Sequence, residues 1–462
     1  MRGFENSAWS EPAQFRGAYV MRGMQIASLG SFALAAALTG APVGDAPLHL
    51  TLRDAVQRSL SEGTAARIAQ ERVGQAGARA LEARSALLPR LSGEAEAANE
   101  SLNLATFGLP VAPGQDPVVG PFDVLDFHVL AAMRIVDIAA RRRYAAAKEG
   151  IAVGESERRR TENDVAAAVA ALYVGLQSAI ASVETAQANV ELFTRLRDVA
   201  EDRRRSGVGT RLDTTRAEVA LSRQRQALVS AINARETARL ALLHAVGADQ
   251  TSALVVDAPA DVDEPAPDAE TELARARAER PELASLAAEE RAEELSISAE
   301  RAGRLPTLSA QFQGGYNGNR IDELQWTRQI VGLVSVPIFT GGEVPARVAE
   351  AESRRRELAF ERVELERQIE EEVRRAILTY ASARERVEVS AEGLRLAGEE
   401  LTLARDRFEA GVTSSIEVDN AQASLVAAQS DRIAAGADRD RARYDLWRAT
   451  GRIRELVGEA QQ

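Results

Sequence analysis

The chain reads as a mainly α protein with a small β part, in which long helical hairpins and pairs of strands each occur twice. Three observations predict this class. Residues 138–205 and 343–410 run with almost no helix breakers after their first turns, and at 1.5 Å per residue each would reach about 100 Å. The stretch from Leu403 to Gly451 also repeats an earlier one. A shift of 204 places Asp202-Arg203 on Asp406-Arg407, Gly207-Val208 on Gly411-Val412, Ala238-Arg239 on Ala442-Arg443 and Gly247 on Gly451. The match holds without a gap over roughly fifty residues, which composition alone does not produce. Finally, the residues after Pro89 and Pro306 alternate in polarity rather than recurring at helical spacing.

Composition supports long packed helices over globular domains. Of the 462 residues only 4% are aromatic while 27% are charged, and alanine, arginine and glutamate dominate. The net charge of −12 argues against nucleic acid as a partner. Arg141-Arg142-Arg143 and Arg354-Arg355-Arg356 sit in glutamate-rich helical segments and read as solvated or ion-paired faces. Cysteine is absent, which removes disulfides, thiolate chemistry and a lipid attachment point. His49, His128 and His244 fall in unrelated segments, so no metal site is expected, and no cofactor motif occurs.

Residues 1–46 read as an export signal region. Ile26 to Leu38 form an apolar core preceded by Arg22 and followed by Thr39-Gly40-Ala41. Glu5 and Glu11 are unusual ahead of such a core and leave Met21 and Met24 open as alternative starts. A buried N-terminal helix is the competing reading. No later segment is expected to span a bilayer as a helix.

The first repeat, 47–255, is expected to open with helix over Leu48–Leu88, broken at Ser61-Glu62-Gly63-Thr64 and ended by Pro89. Strands follow over about 90–137, then long helices at 138–205 and 212–247. Leu91, Gly93, Ala95 and Ala97 oppose Ser92, Glu94 and Glu96; Leu125, Phe127, Val129, Ala131 and Met133 oppose Asp126, His128 and Arg134. A membrane barrel and a soluble sheet with one buried face both give this pattern. Between these strands lies a loop over Leu102–Pro121, rich in proline and glycine.

An acidic, proline-containing connector at 256–269 leads to the second repeat, 270–462. Its strands are expected over about 306–340, the second running from Gln325 to Phe339, and its long helices at 343–410 and 416–450. Val373, Tyr380, Val387, Leu394, Leu401 and Phe408 recur every seventh residue, as do Val169, Leu176, Val183 and Val190. Such spacing is a coiled-coil seam. Tight turns join the helices at Gly207-Val208-Gly209-Thr210 and at Gly411-Val412-Thr413-Ser414-Ser415, where Ser414 or Ser415 is expected to cap the returning helix.

Taken with Arg407-Phe408-Glu409-Ala410-Gly411-Val412, Asn420-Ala421-Gln422, the Leu-Pro-x-Leu segments at 88–91 and 305–308, and Pro337-Ile338-Phe339-Thr340-Gly341-Gly342, this order resembles the TolC-like outer-membrane efflux family over nearly the whole mature chain. The resemblance implies a homotrimer whose protomers each give four strands to a shared twelve-stranded barrel in outer-membrane lipid. The helices would form a long periplasmic tube. The tips, Gly207 to Thr210 and Gly411 to Ser414, would meet a periplasmic adaptor that links the tube to an inner-membrane pump. The family narrows its closed tube with acidic rings, and the matching positions here are Glu417 and Asp419, with Asp213 opposite Glu417. Asn420 stands where a second acid is usual, Arg216 lies opposite Asn420, and Arg204 and Arg205 replace Phe408 and Glu409. These arginines are candidates to pair across protomers with Glu417 or Asp419. Glu417 is equally readable as a helix-dipole acid.

The function implied is a passive exit duct of a tripartite efflux or type I secretion system. A pore-less periplasmic coiled-coil scaffold is the alternative; it explains the heptads but not the strand pairs. An enzyme is the weakest reading, because no nucleophile–base cluster or phosphate-cradling loop appears.

Overall fold

A computed structural model describes residues 48–458 except 109, 111, 113, 259–263 and 266. The expected export signal lies outside the described residues.

Leu48–Leu50 form β1, which pairs in parallel with β4 (Leu254–Val256). The helix expected from Leu48 therefore starts later. Thr51 ends the strand and caps α1 (Leu52–Glu62) reciprocally with Asp54. The little sheet is pinned by Tyr173, whose hydroxyl donates to the Leu50 carbonyl at 3.0 Å and accepts from the Asp257 N–H at 2.9 Å. Gly63 separates α1 from α2 (Thr64–Ser85); a Cβ there would lie 2.1 Å from the Ser59 carbonyl oxygen.

After Pro89 the chain enters a four-stranded antiparallel sheet of β2 (Arg90–Asn103), β3 (Val118–Val136), β5 (Thr307–Gly318) and β6 (Gln325–Ser335), in the order β2-β3-β5-β6. Among the described residues the outer edges of β2 and β6 are unpaired. Register places Leu91, Ala131, Phe312 and Ile330 on one face, and Glu94, His128, Gly315 and Thr327 on the other. β6 stops at Ser335 instead of running to Phe339. Pro337 has no N–H to give a ladder, and Ile338 and Phe339 stand 95% and 88% exposed beyond the strand.

The long helices are α3 (Ile138–Arg205), α4 (Arg211–Ala245), α7 (Glu343–Glu409) and α8 (Ser415–Thr450). Val169, Leu176, Val183, Val373, Tyr380 and Leu401 are buried along the seam, while Val190, Val387, Leu394 and Phe408 are half-buried. Alanines such as Ala166, Ala170, Ala383 and Ala404 fill the spaces between them, which lets the axes approach toward the low end of about 8–10 Å. One 18-residue window of α3 is, by length and composition, apolar enough to cross a membrane, contrary to the expectation of none. Val169, Tyr173 and Leu176 of this helix instead pack with Val56, Leu242 and Ile453, so the apolar run serves the bundle core.

Two shorter helices, α5 (Ala269–Glu279) and α6 (Pro281–Ala302), meet at Arg280-Pro281. Arg280 is 6% exposed and bonds Glu282 at 2.8 Å and Glu372 of α7 at 2.5 Å. Tyr380 of α7 donates to the Glu264 carbonyl of the connector at 2.9 Å. The two tyrosines thus fasten the connector region to both long-helix hairpins.

Candidate gate at the hairpin tips

Both tips use the same backbone solution. Gly207 and Gly411 take positive φ, 79° and 73°, which only glycine adopts freely. The Val208 and Val412 N–H groups then return to the Arg203 and Arg407 carbonyls at 3.0 and 2.9 Å. At the first tip Thr210 caps α4, its hydroxyl accepting from the Asp213 N–H while the Asp213 carboxylate accepts from the Thr210 N–H. The second tip lacks this arrangement. Ser414 holds the cap position of α8 but its side chain makes no cap bond, and Ser415 turns outward to donate to Asp213 Oδ1 at 2.8 Å. Neither serine caps as expected.

The candidate gate residues divide into two groups. Asp213, Arg216 and Asp419 converge around Ser415, with Arg216 Nη1 lying 3.4 Å from Ser415 Oγ. The Thr210 hydroxyl bond, helped by Ser415, holds the Asp213 carboxyl below its ordinary value against the opposing effect of burial. Burial pushes the Asp419 carboxyl up, partly offset by the Arg216 charge. Glu417 belongs elsewhere: Arg407 Nη1 donates to its Oε1 at 2.8 Å and the Thr413 hydroxyl donates to its other oxygen. Asn420 is exposed.

Arg204 and Arg205 both bind Glu201 of their own helix, which lowers the Glu201 carboxyl to about 2. Phe408, the aromatic of the second tip, lies under Arg203, 4.4 Å from guanidinium carbon to ring centre. A cleft of about 90 Å³ opens between the hairpins, lined by Phe193, Val199, Asp213, Phe408, Ser415 and Asp419 among others. Among the described residues no cluster of three or more His, Asp or Glu side chains is placed to hold a metal.

Two hairpins joined at such tips, beneath a sheet with two free edges, match a known set of proteins. The profile of the outer membrane efflux protein family covers residues 55–248 and 273–452. The chain belongs to that family. No curated protein sequence matches it closely. Among solved structures, the outer membrane channel CmeC of Campylobacter jejuni superposes with a TM-score of 0.74 at 18% identity, over 87% of this chain and 85% of that one. VceC of Vibrio cholerae gives 0.73 at 18%, over 87% and 96%. The open state of MtrE from Neisseria gonorrhoeae gives 0.70 at 20%, over 87% and 88%.

This outer membrane efflux protein is therefore located in the outer membrane, where its family forms channels, and the family is one of transport rather than catalysis. The scaffold alternative is set aside on the same ground. Within the tip, the sequence assigns Ser415 only a capping role and Arg407 and Arg203 none, whereas the three bind Asp213, Glu417 and Phe408. The Thr210-x-x-Asp213 spacing does signal a capping box, but nothing local reveals that Ser415 reaches the other hairpin.

Proposed function

We propose that three copies of the chain assemble into a passive exit duct, four strands from each closing a twelve-stranded barrel. The reading rests above all on the two free sheet edges, β2 and β6. Four strands do not close a barrel alone, and open edges do not persist in lipid. Large apolar side chains exposed on α7, such as Phe360, Leu378 and Leu403, suit burial against a neighbouring copy in a periplasmic helical tube.

The tips would be the pump-facing end. Gly207, Val208, Gly209 and Thr210, with Gly411, Val412, Thr413 and Ser414, are offered as the adaptor-contacting surface. An inner-membrane pump or a type I secretion transporter supplies the energy. The Ser415 bonds to Asp213 and Arg216 hold the hairpins of one chain together, while Glu417 is held by Arg407 and Thr413 of its own hairpin. In this reading opening requires the Asp213–Ser415–Arg216 contacts to part.

The test exploits the absence of native cysteine. Cysteine pairs scanned along the outer edges of β2 and β6 are expected to give a ladder ending at a covalent trimer, and the purified protein is expected to conduct in planar bilayers. A protein that stays monomeric and non-conducting in detergent and bilayers overturns the proposal.

A further inference from the structure

The apolar face of the sheet carries one charge that its surroundings do not explain. Register places Arg328 of β6 beside Gly314 of β5, in the row that continues to Val129 and Gly93. Trp326 and Ile330, two residues to either side, share this face and are 56% and 74% exposed. Arg328 is itself exposed. Among the described residues no carboxylate pairs with it. The other charged residue on this face at a paired position is Asp123, at the loop end, which accepts from Asn99 at 2.8 Å.

In the barrel proposed above, the adjoining edge strand β2 of a neighbouring copy supplies no counter-charge either. Glu94, Glu96 and Glu100 of β2 all lie on the face of His128, because they register with His128, Asp126 and Phe122. Alternation along β2 therefore brings only Leu91, Gly93, Ala95, Ala97 and Asn99 to the face of Arg328. These small side chains leave the guanidinium open to whatever surrounds the barrel.

Its depth can be read from the strand. β6 begins at Gln325, at the end joined to β5 by a short turn, whereas the helices attach at the opposite end. Arg328 lies about 10 Å along the strand from the turn, and strand tilt reduces that depth further. Tyr316 and Trp326 stand beside it as an edge-to-face pair 5.3 Å apart, just nearer the turn. Aromatic pairs of this kind mark the headgroup boundary of membrane barrels. A long cationic side chain at that level extends its head to the headgroups rather than into hydrocarbon.

We propose that Arg328, with the Trp326–Tyr316 pair as its apolar wall, binds the phosphate of an anionic lipid in the outer leaflet. The guanidinium fork matches a phosphate through two parallel N–H···O bonds, and the rings pack on the lipid's chains. The proposal rests on the channel reading above, which makes this face the lipid face and the turn end the outer end.

The test uses the full mature chain in nanodiscs of phosphatidylcholine doped with bisphosphorylated lipid A or with its dephosphorylated counterpart. Native mass spectrometry reads the lipid retained after mild release. Wild type is expected to keep the phosphorylated lipid preferentially. Arg328→Gln should lower its apparent affinity about tenfold, in line with loss of charge-assisted bonds. Arg328→Lys should keep the charge preference but bind more weakly. Millimolar inorganic phosphate should not displace the lipid. Equal retention by wild type and Arg328→Gln, no preference for the phosphorylated lipid, or displacement by free phosphate each overturns the site. Planar-bilayer conductance separates the two levels. If both proteins conduct alike while retention does not differ, the lipid site alone fails; if neither inserts or conducts, the channel reading fails and takes the site with it.

Discussion

Ser415 Oγ donates to Asp213 Oδ1 at 2.8 Å, so the first turn of α8 is tied to the first turn of α4 across the tip. The hydroxyl belongs to the first residue of α8, one place after the Ser414 cap position. Ser415→Ala removes the tie but leaves Asp213 its bonds to Thr210. A hydrogen bond to a carboxylate contributes about 1.5–3 kcal/mol. The expected outcome is an open probability raised by about tenfold or more in planar bilayers, with unchanged melting of the rest of the molecule by circular dichroism.

Arg216 holds the other side of the same cluster. It bonds Ser415 and carries the positive charge beside Asp213 and Asp419. Arg216→Glu would place a third carboxylate among them, and like charges at this spacing repel. Conductance is expected to rise more than in Ser415→Ala. Salt should suppress the difference, because screening weakens partly exposed charge pairs.

Acid should affect the two aspartates in opposite senses. Asp419 is raised by burial, so its stabilising contribution is complete below the ordinary value of 3.8 and is lost as pH rises through its raised value. Asp213 is lowered by the Thr210 bond, so its contribution is complete above 3.8 and is lost as pH falls through its lowered value. Asp419→Asn is therefore expected to slow amide exchange in the first turns of α4 and α8 at pH 7, with the gain fading as pH approaches 3.8. Asp213→Asn should speed exchange there at neutral pH, and the penalty should shrink only below that value.

Tyr173→Phe tests the pin on the two-stranded sheet. The hydroxyl serves the Leu50 carbonyl and the Asp257 N–H together, and its loss leaves both with no partner on α3. The expected cost is about 1–3 kcal/mol, with amide exchange accelerating at 48–50 and 254–257. Burial raises the phenol to about 12, so the contribution persists below the ordinary value of 10 and is lost as pH rises through 12. Wild type should thus shed this protection only in strong alkali.

Much of this architecture is legible in the sequence because its signals are long or local. The seam from Val373 to Leu401 repeats often enough to outweigh any single residue, and Gly411 marks a turn because glycine takes positive φ without strain. The four strands announce themselves by alternation after Pro89 and Pro306. What escapes is short or non-local. β1 and β4 are three residues each and pair across about two hundred residues of chain, from Leu48 with Leu254 to Leu50 with Val256, so neither has a period to read. β6 ends at Ser335, short of the strand-like Ile338 and Phe339, because Pro337 decides. At the candidate gate, Glu417 and Asp419 sit two positions apart yet fall into different networks, one with Arg407 and one with Arg216. That partition depends on the other helices of the tip, and no spacing within α8 encodes it.

Arg280 offers a test of how the shorter helices are held. It is buried between Glu282 and Glu372, tying the start of α6 to α7. Burial pushes the Glu282 carboxyl up, but the Arg280 bond and charge outweigh it, so the group stays ionised below its ordinary value. Arg280→Ala strands that carboxylate, and breaking one side of a buried pair costs about 3 kcal/mol at the low end. The low end applies because Glu372 is 38% exposed and Arg160 stands 3.9 Å from Glu282. Replacing the charges together, as Arg280→Met with Glu282→Gln and Glu372→Gln, should recover most of the loss, since desolvation falls along with attraction. Chemical denaturation of the three proteins in detergent checks the order: wild type and triple variant close together, Arg280→Ala well below both. A single variant as stable as wild type would mean that Arg280 is held by its surroundings rather than holding them.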